Sequence, residues 1–200
     1  MPTPSRTSVA EIVIAGRQIL EEDGLEGLTL QRVATAVGVR APSLYKRVDG
    51  RAELVRLISN DVALDLTARL NAAAQTGDAE GDIRALAETY RSFALANPRA
   101  YALLFAAAPA GGGVDPEINA GASEALLRTV VRVAGTEHAL EAARLLVAWA
   151  HGFVSMELNG AFRLGGAVDE AFAYGVDRVT AAITPTPRND RTTLDVRGPR

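Results

Sequence analysis

Apolar residues recur at intervals of three and four along most of the chain, and the alternation of a half-buried strand is missing, so the pattern predicts an all-α protein. The first helix opens at Ser8, where Glu11 three residues on completes a capping box, and closes at Gly24 with Ile12, Ala15, Ile19 and Leu20 facing inward. Thr29 stands as the N-cap of a second helix of two turns that stops at Gly38. A third short helix over residues 40–48 tolerates Pro42 in its first turn and ends at Asp49-Gly50. From Arg51 a long helix carries Leu54, Ile58, Val62, Leu66 and Leu70 on one i, i+4 row. Asp82 is read as the cap of a helix that ends at Asn97, before Pro98. Further helices are expected over residues 116–134, 138–162 and 168–183, about nine in total. The glycine-rich run between Pro109 and Pro116 reads as a flexible surface connection, and residues 184–200, rich in Pro and Arg, as a disordered tail. The organisation is therefore a three-helix head over residues 1–50, a helical domain over 51–183, and the tail.

Along the helix from His138, Ala139, Ala142, Leu146, Trp149, Phe153, Met156 and Gly160 follow spacings of three and four, a seven-residue repeat. Val168, Phe172, Gly175, Val179 and Ala182 continue it on the next helix. Two readings stay open: the ordinary core of one protomer, or a four-helix bundle across a two-fold axis. On the second, Ala142, Leu146, Gly160, Phe172, Gly175 and Val179 form the dimer interface.

Composition removes several function classes. With no cysteine there are no disulfides, thiolate nucleophiles or Cys-ligated zinc. The longest uncharged apolar stretch, Ala100–Ala110, contains Pro109 and is too short to cross a bilayer, and no apolar leader follows Met1, so a cytoplasmic location without membrane contact is expected. The only lysine, Lys46, follows Tyr45 rather than glycine, which excludes a P-loop. His138 and His151 lie at different levels of one helix and do not make a zinc site. Gly121-Ala122-Ser123-Glu124-Ala125 lacks the strand and the final glycine of a nucleophile elbow. No enzyme, metal or cofactor is expected. The net charge of −3 conceals a basic island: residues 29–56 hold six basic side chains against two acidic ones.

That island coincides with two short helices joined by Val37-Gly38-Val39-Arg40, the outline of a helix-turn-helix, and Arg40, Ser43, Tyr45, Lys46 and Arg47 crowd its second helix. A solvated basic helix in an ordinary bundle shares this outline. The match in detail goes further. Gly24-Leu25-Glu26-Gly27-Leu28-Thr29, then Val33-Ala34, Val37-Gly38-Val39, Pro42-Ser43-Leu44-Tyr45 and Arg51-Ala52-Glu53-Leu54 resemble the DNA-binding domain of TetR-family transcriptional regulators over residues 10–58. Trp149-Ala150-His151-Gly152 with Glu157-Leu158 and Phe162 is similar to the Trp-His-Gly type of C-terminal domain in one branch of the family.

The resemblance implies a TetR-like fold and a homodimeric repressor on a double-stranded operator with an inverted repeat. It implies phosphate contacts from Thr29, Tyr45, Lys46 and Arg51, with Gln31 and Arg32 near the backbone or a flanking base. Arg40, Ala41, Pro42 and Ser43, at the leading end of the recognition helix, would face base edges. The family usually has a small hydroxyl residue at Arg40 and an aromatic at Val48, so the docking here differs in detail. It also implies a small-molecule effector pocket in the C-terminal domain. Tyr90, Phe93, Tyr101, Leu104, Phe105, Trp149, Phe153 and Met156 are candidates to line it, or are packed core; Glu157 either recognises a cationic group there or sits in a surface ion pair. A helical protein-interaction module that reads no DNA is the alternative.

Overall fold

Ser8 starts the first helix as its pattern requires: the hydroxyl accepts the N–H of Glu11, and the Glu11 carboxylate accepts the N–H of Ser8. Helix α1 (Val9–Gly27) is interrupted at Gly24, whose φ of 75° is not helical, so the predicted stop falls at a real break. The computed structural model describes residues 7–75, 77–106 and 113–185; the tail from residue 186 and the connection over residues 107–112 lie outside them. Helices α2 (Leu30–Ala36), α3 (Ala41–Leu44) and α4 (Gly50–Ala73) follow, then α5 (Ala79–Ala96) and α6 (Pro98–Phe105). The C-terminal part holds α7 (Pro116–Ala122), α8 (Glu124–Ala134), α9 (Ala139–Leu158) and α10 (Val168–Ile183). All regular structure among the described residues is helical, as expected; the segment 116–134 is divided at Ser123 into α7 and α8, and α6 begins at Pro98 itself.

One cap is corrected. Asp78, not Asp82, closes the N-terminus of α5, accepting the N–H groups of Glu80 and Gly81. Asp82 lies in the first turn, fully buried, with Arg132 of α8 donating to it at 2.7 Å.

Three buried clusters hold the helices together. The first joins Ile12, Ile19 and Leu20 of α1 to Leu28, Val33, Leu44 and Val48, and closes over Leu54, Ile58, Val62 and Leu66 of α4. Each such side chain contributes about 1.5–3 kcal/mol on burial. The second packs Ile83 of α5 against Val130 and Val133 of α8, Ala142, Ala143 and Leu146 of α9, and Ile183 of α10. The third gathers Ala94, Tyr101, Val154, Phe172 and Val176, with Trp149 and Phe153 packed on it.

These clusters show where the protomer places the residues of the seven-residue seam. Ala142, Leu146 and Phe172 are buried inside the protomer, and Val179 packs half-buried on the second cluster. Gly175 lies under the Trp149 ring. Gly160, at φ 61°, ends α9, donating to the Glu157 carbonyl while Ala161 donates to that of Met156. Within the protomer, then, Ala142, Leu146 and Phe172 of the seam are core, Gly175 and Val179 are half-buried, and Gly160 stands exposed at the end of α9.

The approach of Trp149 to Gly175 gives a test of this packing. A Cβ on Gly175 would stand 2.2 Å from the Trp149 ring, so Gly175→Val is expected to destabilise the protein by about 1–3 kcal/mol in urea unfolding. An unchanged midpoint would mean that the indole is not held there.

Candidate nucleic-acid interface and inner cavity

The turn between α2 and α3 is built by backbone hydrogen bonds. Gly38, in the left-handed region at φ 72°, donates to the Thr35 carbonyl, and Val39 donates to that of Ala34. This double closure requires a residue without a Cβ penalty at that position and turns the chain sharply into α3. Thr29 caps α2 by accepting the N–H of Arg32 at 3.2 Å. The regular part of α3 is shorter than the expected span, and hydrogen bonds from Tyr45 to Ala41 and from Val48 to Leu44 carry the turn onward to the fully buried Val48.

Leu44 anchors α3 from beneath, while Arg40, Pro42, Ser43, Tyr45, Lys46 and Arg47 all face solvent and Ala41 is half-buried. Tyr45 is 59% exposed. No ion pair engages Arg40, Lys46 or Arg47 among the described residues. Gln31 is exposed beside them. Arg32 and Arg51 are placed differently. Arg32 pairs with Asp23 and donates to the Gly27 carbonyl. Arg51 donates through Nε to the Leu28 carbonyl at 3.1 Å and through a terminal nitrogen to that of Leu25. Both guanidinium groups therefore serve the end of α1, and Arg51, still exposed, is also a strut that holds the α1–α2 corner against α4.

Behind this head, a cavity of about 230 Å³ lies between α4, α5, α6, α7, α8, α9 and α10. Of the nine candidate lining residues, Tyr90, Leu104, Phe105 and Trp149 line it. The others are placed elsewhere. Phe93 belongs to the first cluster with the Arg69 guanidinium 5.6 Å from its ring centre, and Phe153 packs among Trp149, Phe162 and Phe172. Met156 is on the outer surface, 48% exposed. Both Glu157 oxygens accept from Arg91, which also reaches Asp169 and lies over Phe172, so this carboxylate is neutralised away from the cavity. The α4 row supplies Leu66 and Leu70 to the wall, joined by Ile83 and Leu86 of α5 and by Leu146 of α9, one of the proposed seam residues. The regular spacing of that row was a signal for a buried face, but periodicity does not tell cavity wall from solid core.

Tyr101 is buried next to the cavity. Its hydroxyl lies 2.8 Å from that of Tyr90 and 2.7 Å from Nδ1 of His151. Burial pushes both phenols above their ordinary range, so both are neutral hydrogen-bonding groups. His151 is thus a hydrogen-bonding residue that joins α9 to α6.

Charged contacts pin the head to the bundle. Arg17 of α1 reaches Asp61 at 2.8 Å and Asp65 at 3.1 Å on α4. The Glu21 carboxylate accepts the N–H groups of Arg99 and Ala100, capping α6 from α1. On the far side of α4, Asp115 accepts from Arg56 and from the Asn60 side chain, and returns its own N–H to the Asn60 carbonyl oxygen. No helix among the described residues is long and apolar enough to cross a membrane, and they contain no group of three metal-ligating side chains.

A helix-turn-helix head on a larger all-helical bundle defines a class of DNA-binding regulators. Residues 83–179 match the model of the tetracyclin repressor-like C-terminal domain. The uncharacterized HTH-type transcriptional regulator Rv0681 of Mycobacterium tuberculosis is 32% identical over 162 residues, 78% of this chain and 73% of its own. The chain belongs to the TetR family and is a DNA-binding transcriptional regulator. Two solved structures share the fold. A protein with unknown function from Rhodococcus sp. RHA1 superposes with a TM-score of 0.78 at 24% identity, covering 92% of this chain and 100% of its own. The transcriptional regulator SCO7222, a TetR from Streptomyces coelicolor, gives 0.69 at 20%, covering 88% and 97%.

The Arg56 cluster makes stability depend on acid. Hydrogen bonds from Arg56 hold the Glu53 carboxyl below its usual range, and those from Arg56 and Asn60 do the same for Asp115. Groups lowered on folding stabilise fully above about pH 4, and that contribution is lost as pH falls through their lowered pKa. Arg56→Gln should therefore lower the thermal midpoint at neutral pH, with the gap to the unaltered protein closing as pH falls below about 4. A gap independent of pH would sink this assignment.

Proposed function

We propose that the chain is a homodimeric repressor that holds an inverted-repeat operator until a small molecule occupies the cavity behind α4. The observation that carries this reading is the state of α3. Arg40, Lys46 and Arg47 project from a short exposed element without ion pairs among the described residues, whereas the neighbouring Arg32 and Arg51 are spent on α1. An unpaired cation on a protruding helix is what phosphate and base edges require. Lys46, Arg47, Tyr45 and the capped N-terminus at Thr29 take phosphate; Arg40, Ala41, Pro42 and Ser43 meet bases, with Gln31 at the flank. Residues up to about 50 read DNA, and residues 51–183 sense and dimerise, in the cytoplasm where the operator lies.

The dimer is proposed to use a second face of α9, beside the buried seam. Leu145, Ala148 and Gly152 form an exposed row one residue out of step with it, and Ala171 and Tyr174 are exposed on α10. Small residues within an apolar row allow two helices to approach closely. A helix apolar on both sides has two partners, and only one lies within the protomer.

The experiment is selection of binding sites from random duplex DNA at about 150 mM salt. An inverted repeat is expected. Lys46→Ala should then weaken binding to every site alike and reduce the salt slope by about one, whereas Arg40→Ala should change the preferred bases. A flat selection by folded dimer would overturn DNA reading by α3 and favour the interaction module. For the interface, Ala148→Glu should give monomers in sedimentation and lose the inverted repeat; a persistent dimer would place the contact elsewhere.

A further inference from the structure

The cavity wall carries no charge. Among the described residues its polar members are Tyr90, Asn119 and Ser123, and the remainder are aliphatic or aromatic. Arg91, next to Tyr90 on α5, is consumed by Glu157 and Asp169. A ligand carboxylate or ammonium would enter without a counterion and forfeit its hydration, a large penalty at an apolar site.

A polar relay reaches this wall through the chain Tyr90–Tyr101–His151, of which Tyr90 is the member that lines the cavity. Proton counting along it defines what Tyr90 offers. When Nδ1 of His151 is the acceptor, the Tyr101 hydroxyl donates to it and the Tyr90 hydroxyl donates to Tyr101, leaving lone pairs on Tyr90 for a ligand donor. When Nδ1 carries the proton, it donates to Tyr101, Tyr101 donates to Tyr90, and the Tyr90 proton is left for a ligand acceptor. At 3.5 Å, Tyr90 itself is too far from Nδ1 to compete with the 2.7 Å contact of Tyr101. In the first arrangement Tyr90 can only accept from a ligand and in the second it can also donate, so whether it offers a proton follows the His151 tautomer.

Resting on the reading that the effector occupies this cavity, we propose that the effector is an uncharged, largely apolar molecule with one hydroxyl or carbonyl oxygen that hydrogen-bonds to Tyr90. The relay matches either oxygen by a change of tautomer, with no side chain displaced. Specificity then comes from the apolar wall, including Phe105 and Trp149, and from the exclusion of ions.

Trp149 is the sole tryptophan of the chain and lines the cavity, so its emission reports entry. Four probes of one shape separate the contributions: phenylbutanol, phenylbutanoate, phenylbutylammonium and butylbenzene, titrated into the full-length protein at neutral pH. Phenylbutanol is expected to bind roughly ten-fold or more tightly than either ion. Tyr90→Phe is expected to weaken phenylbutanol about five-fold and to leave butylbenzene unchanged, which also shows that the variant keeps its cavity. An ion that binds as tightly as the alcohol would overturn the proposal while keeping the cavity as a binding site. Equal weakening of alcohol and hydrocarbon in Tyr90→Phe would reduce Tyr90 to packing and overturn it as well. No response to any of the four would overturn the cavity reading itself, and the proposal with it.

Discussion

The apolar row of α4 is packed along its length, and it belongs to two bodies. Leu54, Ile58 and Val62 close the core of the DNA-binding head, while Leu66 and Leu70 stand in the cavity wall. No glycine or proline interrupts the helix between Arg51 and Ala73, so it has no internal joint. Its 24 residues make a rod of about 36 Å. A displacement at the cavity end is therefore carried to the head as a rotation of the rod rather than absorbed along it. On the proposed reading this is the element whose equilibrium both ligands bias, which is the physical requirement for coupling two distant sites.

The charged pins define how the head sits on that rod. Arg17 to Asp61 and Asp65, and Glu21 to the start of α6, all arise from one face of α1. Partly exposed pairs are worth about 0–1 kcal/mol each, so attachment comes from the buried cluster and the pins fix orientation. Glu21 has a second consequence, since the helix it caps bears Tyr101, Leu104 and Phe105. The start of α6 is held by α1, while Tyr101, Leu104 and Phe105 further along it meet the relay and the cavity. The head is thus tied to the cavity by two elements, α4 through packing and α6 through a cap. Effector and operator need differ by only about 1–3 kcal/mol in the states they favour for such a link to regulate.

Much of this was legible in the sequence because it is local. The Ser8 box, the Thr29 cap, Gly38 and the α4 row depend on residues within a few positions of each other, and each stands where its pattern puts it. The failures are of one kind: roles decided by partners distant in the chain. Arg51 reads as one more cation of a basic island, but its guanidinium is taken by carbonyls 23 and 26 residues away. Glu157 reads either as a partner for a cationic ligand or as one member of an ion pair, and only Arg91, 66 residues earlier, makes it the second. Asp82 has the spacing of a cap and is instead buried opposite Arg132. The relay has no sequence pattern at all, since Tyr90, Tyr101 and His151 meet only when α5, α6 and α9 pack.

The seam on α9 shows why periodicity alone misassigns a face. Successive helical residues are about 100° apart, so two rows one position out of step lie on different sides, and both are apolar here. The buried row places Leu146 and Trp149 in the cavity wall; the exposed row sets Leu145, Ala148 and Gly152 beside them, facing out. If the second protomer docks on the exposed row, cavity and dimer contact share a partition one helix thick. Filling the cavity then presses on Trp149, whose indole is already fitted against Gly175 with no room for a Cβ. A wall that cannot yield locally must move as a unit, because close-packed contacts transmit strain. On the proposed reading, α9 therefore carries occupancy of the cavity into the spacing of the two heads, while α4 carries it into their tilt.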